Sequence, residues 1–195
     1  MNNMSSKNDD SKQIESPFDM MANNCTFWEC KANALLKSAN ILKRERERAL
    51  QSHKGATFPR SVSPEELTEE VEWMLQAFAI ECLLKGLFVK GGHKIVENDE
   101  YKQVPNAGDH DLVNLATEIM GTMSKEHNNV LRKLGLIGRT VGRYPIPKKR
   151  SELRFCDEEN ALEIDDPSVQ ITDDEQSLID TFTSELRKKL TEKGG

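Results

Sequence analysis

His110 is the residue whose type and position point most directly to proton-transfer chemistry. It stands between Asp109 and Asp111, immediately before an apolar helical pattern that begins at Leu112. The positive end of a helix dipole disfavours an imidazolium, so this placement favours a neutral ring that accepts or donates one proton. The same residues are equally typical of a helix cap that locks the preceding loop, because Asp is a strong N-cap. Both interpretations follow from the sequence.

Glu81 and Lys85 are two charged residues in an otherwise apolar stretch. They are four positions apart, with the acid first, which is the order favoured for an ion pair within a helix. A charge on a mostly buried helix needs a partner. We therefore expect a structural ion pair between them, and Glu81 has His110 or Arg143 as further candidate partners. A functional pocket around the pair is the alternative.

A basic run follows in an otherwise acidic chain, whose formal net charge is -6. Such a local patch can bind phosphates, and Tyr144 within it can stack on a base. This predicts an interface for RNA or another polyanion. The basic residues of the run are Arg132, Lys133, Arg139, Arg143, Lys148, Lys149, Arg150 and Arg154.

The acidic segment 157–175 comes directly after the basic run and contains no Lys or Arg. It offers a second explanation of the basic run, because opposite charges can neutralise each other within the fold or between subunits. The segment could also bind a protein partner. The sequence leaves these alternatives open.

The cysteines and histidines do not form a metal motif. Cys25, Cys30, Cys82 and Cys156 include no closely spaced pair, and the four histidines lack the spacing of a zinc site. We expect free thiols, no metal and no cofactor. Because we find no basic-then-apolar export signal and no long uninterrupted apolar stretch, we also expect a cytoplasmic location and no membrane contact.

The elements that must position these residues read as helices. Apolar positions recur at three- and four-residue steps over 27–53, 64–90, 109–120, 124–141 and from 172 onward. The sequence thus predicts an all-α, antiparallel bundle of about five helices with a long central helix and no paired strands. Residues 1–24 are predicted to be a disordered leader. A single domain is predicted over 25–192, with 142–172 as an irregular basic-then-acidic connection.

Several local signals refine this prediction. Pro64 fits the first position of the long helix, and Thr172 with Glu175 forms a capping box for the last one. The alternating charges of 43–48 indicate an exposed helix extension, and Gly135 is expected to weaken the end of its helix.

Three short motifs resemble a branch of the HEPN superfamily. They are the pattern Ala77-x-x-x-Glu81-x-x-Leu84-Lys85 on the central helix, the turn His110-Asp111-Leu112, and Gly142-Arg143-Tyr144-Pro145. The resemblance covers roughly residues 27–190 in helix order. It implies a homodimeric helical bundle of prokaryotic stress, defence or toxin–antitoxin systems that binds or processes RNA.

This resemblance also suggests roles for individual residues. In active HEPN ribonucleases a histidine transfers protons and an arginine stabilises the phosphorane charge, and we assign these roles to His110 and Arg143. The expected RNA-binding residues are Arg139, Tyr144, Lys148, Lys149 and Arg150. Two alternatives remain: a metal-independent ribonuclease toxin that uses the Arg-x4-His spacing of Arg48 and His53, and a non-catalytic protein-interaction module.

Overall fold

Helices dominate the computed structural model, which describes residues 15–52, 64–108, 110–139, 156–157, 160–161 and 171–192. The helices are α1 (Pro17–Ala22), α2 (Cys25–Ser52), α3 (Pro64–Lys90), α4 (Leu112–Met120), α5 (Lys125–Arg139) and α6 (Asp173–Thr191). The predicted all-α bundle is confirmed. Within the described ranges two short strand pairs add to it, which the sequence did not predict: β1 (Val96–Glu97) with β2 (Glu100–Tyr101), and β3 (Cys156–Asp157) with β4 (Asn160–Ala161).

Helix α3 is the central element, as predicted. It contacts α2, α4, α5 and α6, and no residue in 68–90 is exposed. Its most deeply buried apolar residues include Trp73, Ala77, Ile80 and Leu84. The predicted main stripe through Met74, Phe78 and Cys82 is only half-buried. A helix enclosed on most sides has no single core face, so periodicity alone does not rank its positions.

Helices α2 and α3 run antiparallel. Arg46, late in α2, contacts Glu69 and Glu72 near the start of α3, whereas Trp28, early in α2, lies against Gly86 near the end of α3. The carboxyl ends of α3 and α6 meet, because the Lys90 ammonium donates to main-chain carbonyls of the last turn of α6, among them those of Lys189 and Leu190. These carbonyls have no partner within their own helix, so Lys90 acts as a cap.

Helix starts follow the sequence signals closely. The Thr172 hydroxyl accepts a hydrogen bond from the Glu175 amide, and the Glu175 carboxylate accepts one from the Thr172 amide, which confirms the capping box. Helix α4 begins at Leu112, three residues later than predicted, with Asp111 as its N-cap. The chain before it therefore forms a loop that carries His110.

Helix α1 lies in the segment predicted to be a disordered leader, and the prediction does not hold for 17–22. The buried Asp19 carboxylate accepts hydrogen bonds from the amides of Asn98 and Asp99, both of which have positive φ in the turn between β1 and β2. The side-chain oxygen of Asn23 accepts hydrogen bonds from the amides of Ile95 and Val96 in the same way. These polar side chains satisfy the hairpin backbone, so α1 is held by hydrogen bonds that its composition does not reveal.

Candidate functional site

The candidate site lies where the loop before α4 crosses α3. Helix α3 supplies Glu81 and Lys85 from successive turns of one face, and the loop supplies His110. The three side chains form a continuous polar network in a largely apolar region. All three are residues whose type and position had suggested a polar contact from the sequence alone.

Glu81 is the centre of this network. Its Oε1 lies 2.6 Å from Lys85 Nζ and its Oε2 lies 2.7 Å from His110 Nδ1. The Glu81 side chain is only 8% exposed, that of Lys85 12% and that of His110 31%. The ion pair expected within α3 is therefore present, and Glu81 uses its second oxygen to hold the loop histidine.

The protonation of Glu81 follows from its partners. Burial by itself raises the pKa of Glu81, but the hydrogen bonds and charges of Lys85 and His110 outweigh burial and leave its pKa below the usual value. Glu81 is thus ionised at neutral pH and can only accept hydrogen bonds. Its 2.7 Å contact then requires a proton on His110 Nδ1.

Lys85 is held by aromatic rings as well as by Glu81. Its Nζ lies 5.7 Å from the ring centroid of Trp28 and 5.4 Å from that of Tyr101, within the range of a cation–π interaction. Burial lowers the pKa of Lys85, but Glu81, together with Tyr101, outweighs this effect and raises it. Lys85 therefore stays charged, and the hairpin that α1 holds takes part in fixing it.

The backbone of His110 is also unusual. Its φ is 62°, in the left-handed region that few non-glycine residues adopt, although His is among the more tolerant types. The ring packs against Phe78 with 5.5 Å between centroids. The hydrogen bond to Glu81 and this ring contact hold the loop, and the next residue, Asp111, caps α4.

A cleft of about 250 Å³ opens beside His110, between the start of α4 and the carboxyl-terminal half of α5. Two arginines that lie two turns apart on α5 line it together with the histidine. The lining residues are His110, Asp111, Leu112, Val113, Asn114, Leu131, Arg132, Gly135 and Arg139.

Gly135 allows the loop to lie close to α5. A Cβ added at this position would come within 3.3 Å of the His110 carbonyl oxygen and 3.8 Å of the Leu112 side chain. From the sequence alone, Gly135 was predicted only to weaken its helix. The structure shows a packing reason for it, because any larger residue would press on the loop that carries His110.

The predicted site residues separate into three groups. His110, Glu81 and Lys85 are in direct contact, and Arg139 lines the same cleft. Arg132 also lines the cleft and was not selected as a binding residue, although its seven-residue distance from Arg139 places both on one helix face. The residues Arg143, Tyr144, Lys148, Lys149 and Arg150 lie outside the described residues.

The structure describes only one residue, Arg48, of the alternative ribonuclease pair Arg48 and His53. The Arg48 side chain is 71% exposed and pairs with Glu45 one turn earlier on α2. His53 lies outside the described residues. The prediction that uses this pair stays a prediction.

One residue of the acidic segment does neutralise one residue of the basic run. Glu175 lies 2.6 Å from Lys133, and both side chains are 18% exposed. Burial raises the pKa of Glu175, but Lys133 and the Thr172 hydrogen bonds outweigh it, so the pKa is lowered. Internal charge pairing thus accounts for Lys133, which does not line the cleft.

Among the residues that the structure describes, no group of three or more His, Cys, Asp or Glu side chains is arranged to hold a metal ion. A search of the same residues finds no helix with the length and apolar content needed to span a membrane. No family model, curated protein or solved structure matches this chain.

Proposed function

We propose that this chain is a HEPN-like protein that binds and processes RNA, with the cleft beside His110 as the place where the phosphodiester backbone lies. The observation that carries the proposal is that a histidine held by a buried carboxylate lines the same cleft as two arginines, Arg132 and Arg139. Guanidinium groups suit phosphate, because their planar donors match phosphate oxygens. A carboxylate-bound histidine suits proton transfer.

The chemistry proposed for this cleft is metal-independent cleavage of the RNA strand. His110 would take the proton of a ribose 2′-hydroxyl while the 2′-oxygen attacks the adjacent phosphorus. The arginines would stabilise the charge that develops on the phosphorane. The bond between phosphorus and the departing 5′-oxygen then breaks, which leaves a 2′,3′-cyclic phosphate, and the departing oxygen takes up a proton from water. The proposal also includes Arg143 as a catalytic arginine, and Tyr144, Lys148, Lys149 and Arg150 as RNA-binding residues.

The biological setting follows from the resemblance of the motifs. A HEPN-like bundle with this pattern implies a homodimer acting in a prokaryotic stress or defence system. Both statements belong to the same proposal.

RNA binding is tested first with the full chain and a labelled single-stranded RNA at low salt. Log affinity should fall linearly as log salt concentration rises, with a slope of about -0.7 for each phosphate contact. Arg132→Ala and Arg139→Ala should each weaken binding and reduce that slope. The matched control is Arg187→Ala, an exposed arginine on α6 that does not line the cleft, which should bind as the unchanged chain does.

Cleavage is tested on the same RNA in the presence of a metal chelator. His110→Asn keeps a residue type that tolerates the left-handed backbone but removes the ring that transfers protons. We expect cleavage by the unchanged chain and none by this variant, with RNA binding retained. Binding without cleavage by the unchanged chain would reduce the proposal to an RNA-binding protein. An absence of binding at low salt would instead favour the non-catalytic interaction module.

A further inference from the structure

We propose that helix α1 and the first turn of α2 form a docking surface for a basic, amphipathic helix of a partner protein. Four apolar residues define this surface, and they are four of the six exposed large apolar residues in the part of the chain that the structure describes. None of the four lines the cleft beside His110, so the inference does not depend on the proposed function. The four are Phe18, Met20, Met21 and Phe27, with exposed fractions of 52%, 60%, 52% and 49%.

Helix α1 has its polar side turned inward and its apolar side turned outward. Successive residues of a helix are about 100° apart, so Phe18, Met20 and Met21 all lie on the half of α1 opposite Asp19. Asp19 is only 7% exposed and accepts hydrogen bonds from the amides of the hairpin turn. A surface helix of a globular protein normally has the reverse arrangement. Exposed apolar residues grouped on one face mark an interaction site, whereas scattered ones do not.

The orientation of α1 is fixed at both of its ends. At the start, the Ser16 hydroxyl accepts a hydrogen bond from the Asp19 amide, and at the end the Asn23 side chain bonds the hairpin backbone. The Trp28 indole of α2 donates to the Ala22 carbonyl at 2.7 Å, which joins α1 to the beginning of α2. The apolar side is therefore presented in a defined position, and a partner that binds it loses less free energy to ordering.

The charges around this surface select a cationic partner. Helix α1, the start of α2 and the β1–β2 hairpin meet here, and their residues 15–31 and 94–102 include six Asp or Glu and three Lys. Two of these lysines are already paired with carboxylates. The resulting excess of negative charge attracts a basic partner and disfavours RNA or an anionic lipid surface. The two pairs are Lys94 with Glu15 and Lys102 with Glu100.

An amphipathic helix with Lys or Arg beside its apolar stripe matches both properties of the surface. Its apolar stripe would lie on the methionines, whose unbranched side chains adapt to a partner. Its cations would reach Glu97 and Asp99, which are exposed in the hairpin beside α1. Asp99 is next to the helix, because its carboxylate accepts a hydrogen bond from the Ser16 hydroxyl at the start of α1.

The test measures binding of a fluorescent peptide to the full chain by anisotropy. The peptide contains two copies of the heptad Leu-Lys-Lys-Leu-Leu-Lys-Leu, which forms a basic amphipathic helix. We expect saturable binding that is about tenfold tighter than that of a scrambled peptide of the same composition. Replacing Met20 and Met21 together by Gln, or Phe18→Ser alone, should weaken binding about tenfold. Glu97→Gln should weaken it less and reduce its salt dependence.

Matched controls come from exposed positions farther along α2. Ile41→Gln replaces an apolar residue that is 48% exposed and lies about 20 Å along the helix from Phe27. Glu47→Gln removes an exposed carboxylate of the same helix. Both variants should bind the peptide as the unchanged chain does, and circular dichroism should show that every variant retains its helices.

Four results would overturn the proposal. They are an absence of saturable binding, equal affinity for the scrambled peptide, unchanged binding in both α1 variants, and equal loss in the Ile41 control. Two further measurements distinguish other occupants. If the methionine variant breaks up an oligomer in sedimentation, the surface binds a second copy of this chain. If the unchanged chain binds phosphatidylcholine vesicles and the methionine variant does not, it binds lipid. Either finding would also reject the basic helix as the partner.

Discussion

Helix α3 carries two buried glutamates whose carboxylates have different partners. Glu72 and Glu81 are nine positions apart, about two and a half turns, and their side chains are 0% and 8% exposed. Residue type and helix are the same for both. What differs is the number and origin of the groups that meet each carboxylate.

Within the described ranges, the cation that contacts the Glu72 carboxylate comes from another helix. Its Oε2 lies 3.2 Å from Nη2 of Arg46 on α2, and its Oε1 accepts a hydrogen bond from Gln76 at 3.4 Å. Burial raises the pKa of Glu72, and Arg46 lowers it without overcoming burial, so the pKa remains above the usual 4.5. At Glu81 the contacts are shorter and come from two partners, and the pKa is lowered.

The comparison shows that the partners of a buried carboxylate decide what the carboxylate can do. Glu72 and Arg46 fasten α2 to α3 near the end of the bundle where α2 finishes, and the charged form there is only partly compensated. Glu81 is compensated fully enough to stay ionised, which leaves it able to orient a histidine. Burial alone therefore does not distinguish the two carboxylates, whereas the distances and the charges of their polar partners do.

The largest effect should come from removing the Arg46 cation that contacts Glu72. Arg46→Met leaves a fully buried carboxylate that keeps its Gln76 hydrogen bond, and we expect a loss of about 3 kcal/mol in the free energy of unfolding at neutral pH. Lys85→Met should cost less, because Glu81 keeps His110. Urea unfolding of both variants measures the difference. An equal or larger loss for Lys85→Met would contradict the comparison.

The two carboxylates should also give opposite pH dependences. Between 4.5 and its raised pKa, Glu72 binds more protons in the folded chain than in the unfolded chain, so its contribution to stability falls as pH rises. The contribution of Glu81 is complete above 4.5 and is lost as pH falls through its lowered pKa. Each pKa unit corresponds to about 1.4 kcal/mol.

Glu72→Gln and Glu81→Gln separate these contributions when urea unfolding is repeated over a range of pH. The stability of the unchanged chain relative to Glu72→Gln should decrease as pH rises above 4.5. Relative to Glu81→Gln it should increase as pH rises toward 4.5. Slopes of the same sign would show that one of the two pKa directions is wrong.

Sequence reasoning found the Glu81 centre and missed the Glu72 centre for a physical reason. Glu81 and Lys85 lie on one helix at a spacing that predicts their contact, and His110 belongs to a recognisable helix start. Arg46 is 26 residues from Glu72, in a run of alternating charge that indicated an exposed extension. That prediction is wrong for Arg46, whose side chain is 16% exposed. A contact between helices depends on how they pack, which local spacing does not encode.

The same limit applies to the fold: local signals predicted its helices, but they did not predict contacts between distant parts of the chain. The long helices and the Thr172 capping box follow from periodicity and cap chemistry, and both are confirmed. The packing of α1 on the β1–β2 hairpin was missed, since it depends on Asp19 and Asn23 bonding amides more than seventy positions away. Arg132 was overlooked for the same reason, because the cleft exists only once the loop with His110 lies on α5.

The smallest effect should come from the aromatic contact that distinguishes the Glu81 centre. Tyr101→Leu removes one ring beside Lys85, and we expect a loss of about 0.5–1 kcal/mol in the free energy of unfolding, since Tyr101 is 44% exposed. The pH dependence attributed to Glu72 should not change. Tyr101→Phe keeps the ring and serves as the control, with a smaller loss. If Leu and Phe cost the same, the Tyr101 ring adds nothing to the stability of Lys85, and Glu81 and Trp28 hold the ammonium in place.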